Sequence, residues 1–190
     1  MLFVKNGHVK TMAGREFRNG CVLMDDNGKI AAVGENLDAP AGATVIDAQG
    51  RLVTPGVVEA HCHIGLDNEG IGWEGRDYNE IVDPITPQMR AIDSIYPQDE
   101  AFANAIAGGV TTACTGPGSA NVIGGTFVAI KLYGKRVDNM VVKNPLAMKC
   151  AFGENPKRCY GQGAKKSPMT RMAVAALLRE TLFRTKRYMQ

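Results

Sequence analysis

The sequence is poor in features that would assign it quickly to a class. No stretch approaches the roughly 18 consecutive apolar residues of a membrane-spanning helix, so a membrane role is not expected. The start, MLFVKNGHVKT, brings in charge and glycine too early for a secretory signal. The five cysteines contain no CxxC pair and are odd in number, so reduced thiols are the default and no paired-cysteine zinc motif is present. These absences make a cytoplasmic protein with reduced thiols the expectation. Neither GxGxxG nor GxxxxGK[ST] occurs, so the glycine-rich stretch GPGSANVIGG is not a nucleotide loop. Histidine is scarcest of all, with three residues in 190.

What is present suffices for a folded core. Hydrophobic residues make up 45% and charged residues 22% of the chain, ordinary values for a globular protein. The net charge of +3 conceals a split. Residues 1–142 hold 11 Lys/Arg against 17 Asp/Glu, while residues 143–190 hold 11 against 2. The late positive charges are scattered and lack interleaved aromatics, so they read as a solvated helix face rather than a nucleic-acid surface.

Residues 2–50 read as short strands. Asn6-Gly7 and Asn27-Gly28 are turn signals, the second flanked by strand-like runs as in a hairpin. RLVTPGVVEA is short and apolar, as in a strand buried on both faces of a parallel sheet. Residues 67–97 form a long polar loop, a length that points to function. Asp99 to Ala107 fits a helix stopped by Gly108-Gly109. VTTAC, TFVAIKLYG and PLAMKCAFG follow as strands. A long helix is expected from Ser167-Pro168 onward, with Ser167 as its cap. The alternation predicts an α/β fold, divided into a β-rich lobe (1–52) and an α/β body (53–190).

The histidines concentrate the chemistry. His61 and His63 stand one residue apart in VEAHCHIGL, directly after the apolar run. On a strand, residues i and i+2 share a face, so the two imidazoles would project together from the strand's C-terminal end. Cys62 would point the other way. Two such imidazoles can hold one divalent cation at about 2.0–2.1 Å per Zn–N bond.

VTPGVVEAHCHIGL resembles the first barrel strand of the amidohydrolase superfamily, with its P-G-x-[ILV]-[DE]-x-H-x-H signature. The KNGHVKT start, the lead-in to Pro55-Gly56 and GVTTACTGPG are similar to it as well. SANVIGG and MKCAFGENPKR resemble the imidazolonepropionase-like branch. The resemblance implies a partial (β/α)8 TIM-like metallo-hydrolase barrel with an N-terminal β-sandwich lobe. It implies His61 and His63 as ligands of a divalent metal, most readily zinc, as one or two ions. A fourth-strand residue would complete the site: Lys149, after carboxylation, or Glu154. A lysine must lose its proton and take up CO2 before it can ligate; a glutamate is anionic from the start. Ser119 and Asn121 would hydrogen-bond substrate from a βα loop at the barrel mouth.

The family also supplies two later histidines and an aspartate, yet no histidine follows His63 and the remaining one, His8, lies in the lobe. A barrel of this type takes about 250 residues, so the N-terminal portion of such an enzyme is expected. The expected activity is hydrolysis of C–N bonds in cyclic amides or amide-like small molecules by metal-activated water, with the isolated chain inactive. The alternative is a non-catalytic fragment, or a small-molecule-binding α/β module, that needs a second polypeptide to complete the site. Expected partners are a small-molecule substrate and either a missing C-terminal half or further copies of the chain.

Overall fold

A computed structural model describes residues 1–190, which divide into two compact units, Met1–Gly56 and Val57–Gln190. The first unit is one five-stranded sheet built from β1 (Leu2–Lys10), β2 (Glu16–Met24), β3 (Ile30–Gly34), β4 (Thr44–Asp47) and β5 (Leu52–Val53). Strands pair in the order β3-β2-β1-β4, with β5 also on β1. The Asn27-Gly28 signal makes the β2–β3 hairpin: Gly28 takes φ 72°, and Asp25 Oδ1 accepts from the Asn27 and Lys29 amides. Asn6-Gly7 does not turn the chain. Asn6 adopts φ 55° and the ladder merely shifts register there, so β1 continues as one bulged strand.

The second unit contains β6 (Val57–Cys62), α1 (Glu100–Ala107), β7 (Val110–Thr115), β8 (Ile123–Lys131) and β9 (Val141–Cys150). A helical turn, α2 (Glu154–Pro156), runs into a π-helix at Lys157–Gly163, and α3 (Arg171–Tyr188) follows. The sheet order is β6-β7-β8-β9. β6 and β7 are parallel, joined through α1, whereas β7–β8 and β8–β9 are antiparallel. The architecture is therefore mixed α/β, with two open sheets in place of the expected run of parallel βα units.

RLVTPGVVEA is not a single strand. Pro55 has no N–H for a ladder, and the segment divides into β5 of the first sheet and β6 of the second. Nor is β6 buried on both faces. It pairs only with β7 and occupies an edge, leaving Val57 and Val58 53% and 59% exposed. The apolar run reads the same whether or not its neighbours are present, which is why the sequence pattern misjudged its burial.

The core of this unit gathers Leu66, Ile95, Phe102, Val128, Ile130 and Met140. β8 lies between two strands and is buried along nearly its whole length. Asp99 caps α1 by accepting from the Ala101 amide, and α1 sends Phe102 into the core, a burial worth roughly 1.5–3 kcal/mol. α3 begins later than its Ser-Pro signal suggested. Thr170 is the cap, its Oγ1 accepting from the Ala173 amide at 3.1 Å, and Val174 is the buried residue of that helix. No helix is long and apolar enough to cross a membrane.

Candidate functional site

β6 ends at Cys62, so His61 lies on the strand and His63 just beyond it. Their ring centroids are 5.6 Å apart at an interplanar angle of 80°. Cys62 between them directs its thiol to the Cys114 carbonyl oxygen at 3.8 Å, and burial pushes that thiol's pKa up.

Each histidine has its own support. The His63 ring stacks on Tyr78, with centroids 5.5 Å apart and planes 26° from parallel. Its Nδ1 lies 2.7 Å from the Gly116 carbonyl oxygen. A carbonyl only accepts, so Nδ1 carries the proton and donates. The lone pair of neutral His63 is thereby placed on Nε2, the tautomer a metal ligand needs. His61 rests on Phe127, 5.1 Å between centroids. Burial first, then the charges of Lys149 and His63, holds its pKa below the ordinary histidine value.

Lys149 of β9 reaches the same place. Its Nζ is 3.4 Å from His61 Nε2 and 5.9 Å from the Phe127 ring centroid. Burial lowers the lysine's pKa. Phe127 is the common floor under His61 and Lys149, and Gly116 makes room for it: a Cβ on Gly116 would come within 2.3 Å of the Phe127 ring. Opposite Lys149 on β8 is Gly125. Its φ of +108°, and the Met89 carbonyl oxygen that a Cβ would approach to 2.5 Å, restrict that position to glycine.

Glu154 is engaged elsewhere. Both its carboxylate oxygens accept from Lys157 Nζ, at 2.9 and 3.0 Å, and this bond lowers its pKa. No group of three His, Cys, Asp or Glu side chains suited to a metal forms anywhere in the chain, so Glu154 does not join the histidine pair.

Asn121 is likewise not presented to a substrate. It is almost fully buried, and its Nδ2 donates to the Asp83 carbonyl oxygen at 2.9 Å and to Thr86 Oγ1 at 3.0 Å. It ties the long loop to the sheet. Tyr160 does the same from the π-helix, its hydroxyl within 2.9 and 2.8 Å of the Glu80 and Asp83 carbonyl oxygens.

Ser119 lines a cavity of about 260 Å³ together with His63, Tyr78, Asn155, Arg158 and Cys159. His61 opens onto a second cavity of about 290 Å³, shared with Phe127, Met148, Lys149 and Cys150. Tyr78, Phe127, Gly116 and Arg158 escaped the sequence reading. Tyr78 sits in an irregular loop and Phe127 on an ordinary strand, where no spacing marks them. Arg158 is visible in the MKCAFGENPKR stretch but carries no motif of its own.

No family model matches the chain. The crystal structure of an amidohydrolase from Thermotoga maritima MSB8 superposes with a TM-score of 0.93 at 44% sequence identity, covering 100% of this chain and 48% of that one. The amidohydrolase tasK of Hapsidospora irregularis is 38% identical over 168 residues, 80% of this chain and 17% of its own length. A 5'-deoxyadenosine deaminase of Methanococcoides burtonii is 45% identical over 67 residues, 34% of this chain and 15% of its own. The chain thus spans about half the length of the solved relative and less of the others. With the first-strand histidine pair, these likenesses place it in the amidohydrolase superfamily. They do not single out the imidazolonepropionase-like branch.

Proposed function

We propose that residues 1–190 supply the first-strand and Lys149 ligands of a metal-dependent hydrolase that cleaves C–N bonds of amide-like small molecules, on a barrel completed by further chain. The observation that carries this reading is the approach of Lys149 Nζ to within 3.4 Å of His61 Nε2, beside His63. The relatives named as amidohydrolases and as a 5'-deoxyadenosine deaminase support the bond type.

The donor set fits a divalent cation in part. His61 and His63 are both neutral-type nitrogen donors, and zinc suits such ligands. An ammonium is no ligand. Burial lowers the pKa of Lys149 and so enlarges its free-amine fraction; that nitrogen can bond to CO2 with release of one proton, leaving a carbamate with two oxygen donors. When bound, the metal would supply Lewis-acid activation of water and of the scissile carbonyl. The chain's own contribution is orientation. Gly116 fixes the His63 tautomer, Tyr78 and Phe127 hold the two rings, and Phe127 supports the Lys149 stem.

A second reading is that residues 1–190 bind ligand but do not turn it over. It is favoured by the absence of a third His, Cys, Asp or Glu beside the histidines, since a catalytic zinc takes about three protein ligands and a general base adds about 10²–10⁴-fold. The experiment is to load residues 1–190 with zinc in bicarbonate buffer, measure bound metal, and assay cyclic amides and N-acyl amino acids. Zinc uptake lost in His61→Ala and His63→Ala supports the metal site. Uptake unaffected by either variant overturns it. Turnover by residues 1–190 alone would refute the second reading.

A further inference from the structure

We infer that the cavity beside His63 seats a carboxylate of the substrate, with Arg158 as its recognition residue. This rests on the hydrolase reading above and narrows its substrates to amide-like molecules that carry a carboxylate close to the scissile bond.

The cavity has one permanent charge. Arg158 lines it, and no Asp or Glu does. The guanidinium forms no ion pair of its own. It donates instead to a neutral group, Asn155 Oδ1, at 3.3 Å from Nη2. The neighbouring cation is treated differently, since Lys157 is neutralised by Glu154 at 2.9 Å. Two adjacent basic residues thus diverge, one paired along its own helical turn and one left facing a cavity. An arginine has five donors in a fixed fork. With one of its nitrogens on Asn155, the rest of the fork remains for a planar two-oxygen acceptor, the geometry a carboxylate offers.

The cavity is built, not a gap between mobile side chains. Gly118 on its wall has no room for a side chain: a Cβ there would meet Asn79 Oδ1 at 2.5 Å and Tyr78 Cδ2 at 2.7 Å. Asn79 Oδ1 accepts from the Ala120 amide at 3.1 Å, which locks the long loop against the glycine-rich one. Ser119 adds a neutral hydroxyl to the lining. The volume of about 260 Å³ lies just below the usual range for ligand cavities and suits only a compact acid. His63 lines the same cavity, while His61 and Lys149 line the other, so a ligand whose carboxylate sits on Arg158 shares its cavity with His63.

The test uses residues 1–190 and two probes of equal shape, N-acetylglycine and its neutral amide N-acetylglycinamide, followed by ligand-observed NMR without metal and again with zinc. N-acetylglycine is expected to bind at least tenfold more tightly than the amide, in line with the strength of a charge-assisted bond. Arg158→Gln should remove that difference and Arg158→Lys should keep part of it. Arg158 is exposed, so both variants should fold. The inference is overturned if the difference is absent in the wild-type chain, if it survives Arg158→Gln, or if inorganic phosphate binds as tightly as N-acetylglycine. Failure of the hydrolase reading looks different: zinc is not taken up, while the Arg158-dependent preference stands.

Discussion

Lys149 and His61 belong to the two opposite edge strands of one four-stranded sheet, yet Lys149 Nζ and His61 Nε2 lie 3.4 Å apart. Flat strands spaced at about 4.8 Å would separate the two edges by roughly 14 Å. The gap is closed by curl of the sheet and by the reach of the lysine, both over Phe127 of the intervening β8. The site is therefore a property of the sheet's curvature.

That dependence gives the first prediction. Gly116→Ala places a Cβ 2.3 Å from the Phe127 ring. Phe127 is nearly fully buried and has little space to retreat. The substitution should lower unfolding free energy by about 1–3 kcal/mol, the usual range for overpacking, as read by urea denaturation. Adding Phe127→Leu should recover part of that loss. Unchanged stability in Gly116→Ala alone would show that Phe127 is free to move.

Asn121 leads to the second. Its amide satisfies the Asp83 carbonyl oxygen and Thr86 Oγ1 in a buried setting. Asn121→Ala leaves buried polar atoms unpaired and should cost about 1–3 kcal/mol. Protease cleavage within residues 80–86 should rise, because Asn121 helps to hold that loop. A destabilisation below about 0.5 kcal/mol, the scale of ordinary surface substitutions, would return Asn121 to the role of a substrate contact.

The contrast between Asn121 and His61 explains what could be read from the sequence. The histidine pair depends on local spacing, i and i+2 at the end of a strand, and local spacing is written in the chain. Lys149 was offered only by the resemblance to a fourth-strand lysine, with Glu154 as its alternative, and the contacts each makes were not written in the sequence. Asn121 and Ser119 look alike as loop residues; burial separates them, and burial comes from a loop some 35 residues away in the chain. The turn of β8 and β9 into antiparallel pairing was also hidden. Apolar runs such as TFVAIKLYG fit either direction, and direction is set by the short connections on either side.

A third prediction concerns protonation. Burial, then the Lys149 and His63 charges, lowers the His61 pKa. In the unfolded chain His61 takes up a proton near the ordinary histidine value of about 6.5; in the folded chain it does so at lower pH. The folded state is thus favoured fully above about 6.5, and the contribution is lost as pH falls from there through the lowered value. By NMR of metal-free protein, the His61 imidazole should titrate below 6.5. Lys149→Met should move that midpoint upward without restoring it, because burial and His63 remain. No movement would mean that the Lys149 charge is not felt at His61.

The last prediction separates Lys149 from Glu154. Both sit near the end of β9 and both were candidates for the fourth-strand ligand. Lys149 is next to His61, has its pKa lowered by burial, and needs only CO2 to gain two oxygens. Glu154 already holds Lys157 through both oxygens, and recruiting it to a metal would leave that ammonium without its partner. Glu154→Gln should therefore leave zinc affinity within about twofold, while Lys149→Met should weaken it by about 10–100-fold, the range typical when a group supporting a metal site is lost. Zinc affinity of the wild-type chain should rise with bicarbonate concentration, and that dependence should vanish in Lys149→Met. Competition titration against a chromogenic chelator reads all three. If Glu154→Gln lost zinc and Lys149→Met kept it, with no bicarbonate effect in either, the lysine would be a bystander and the glutamate would have to swing away from Lys157 to ligate.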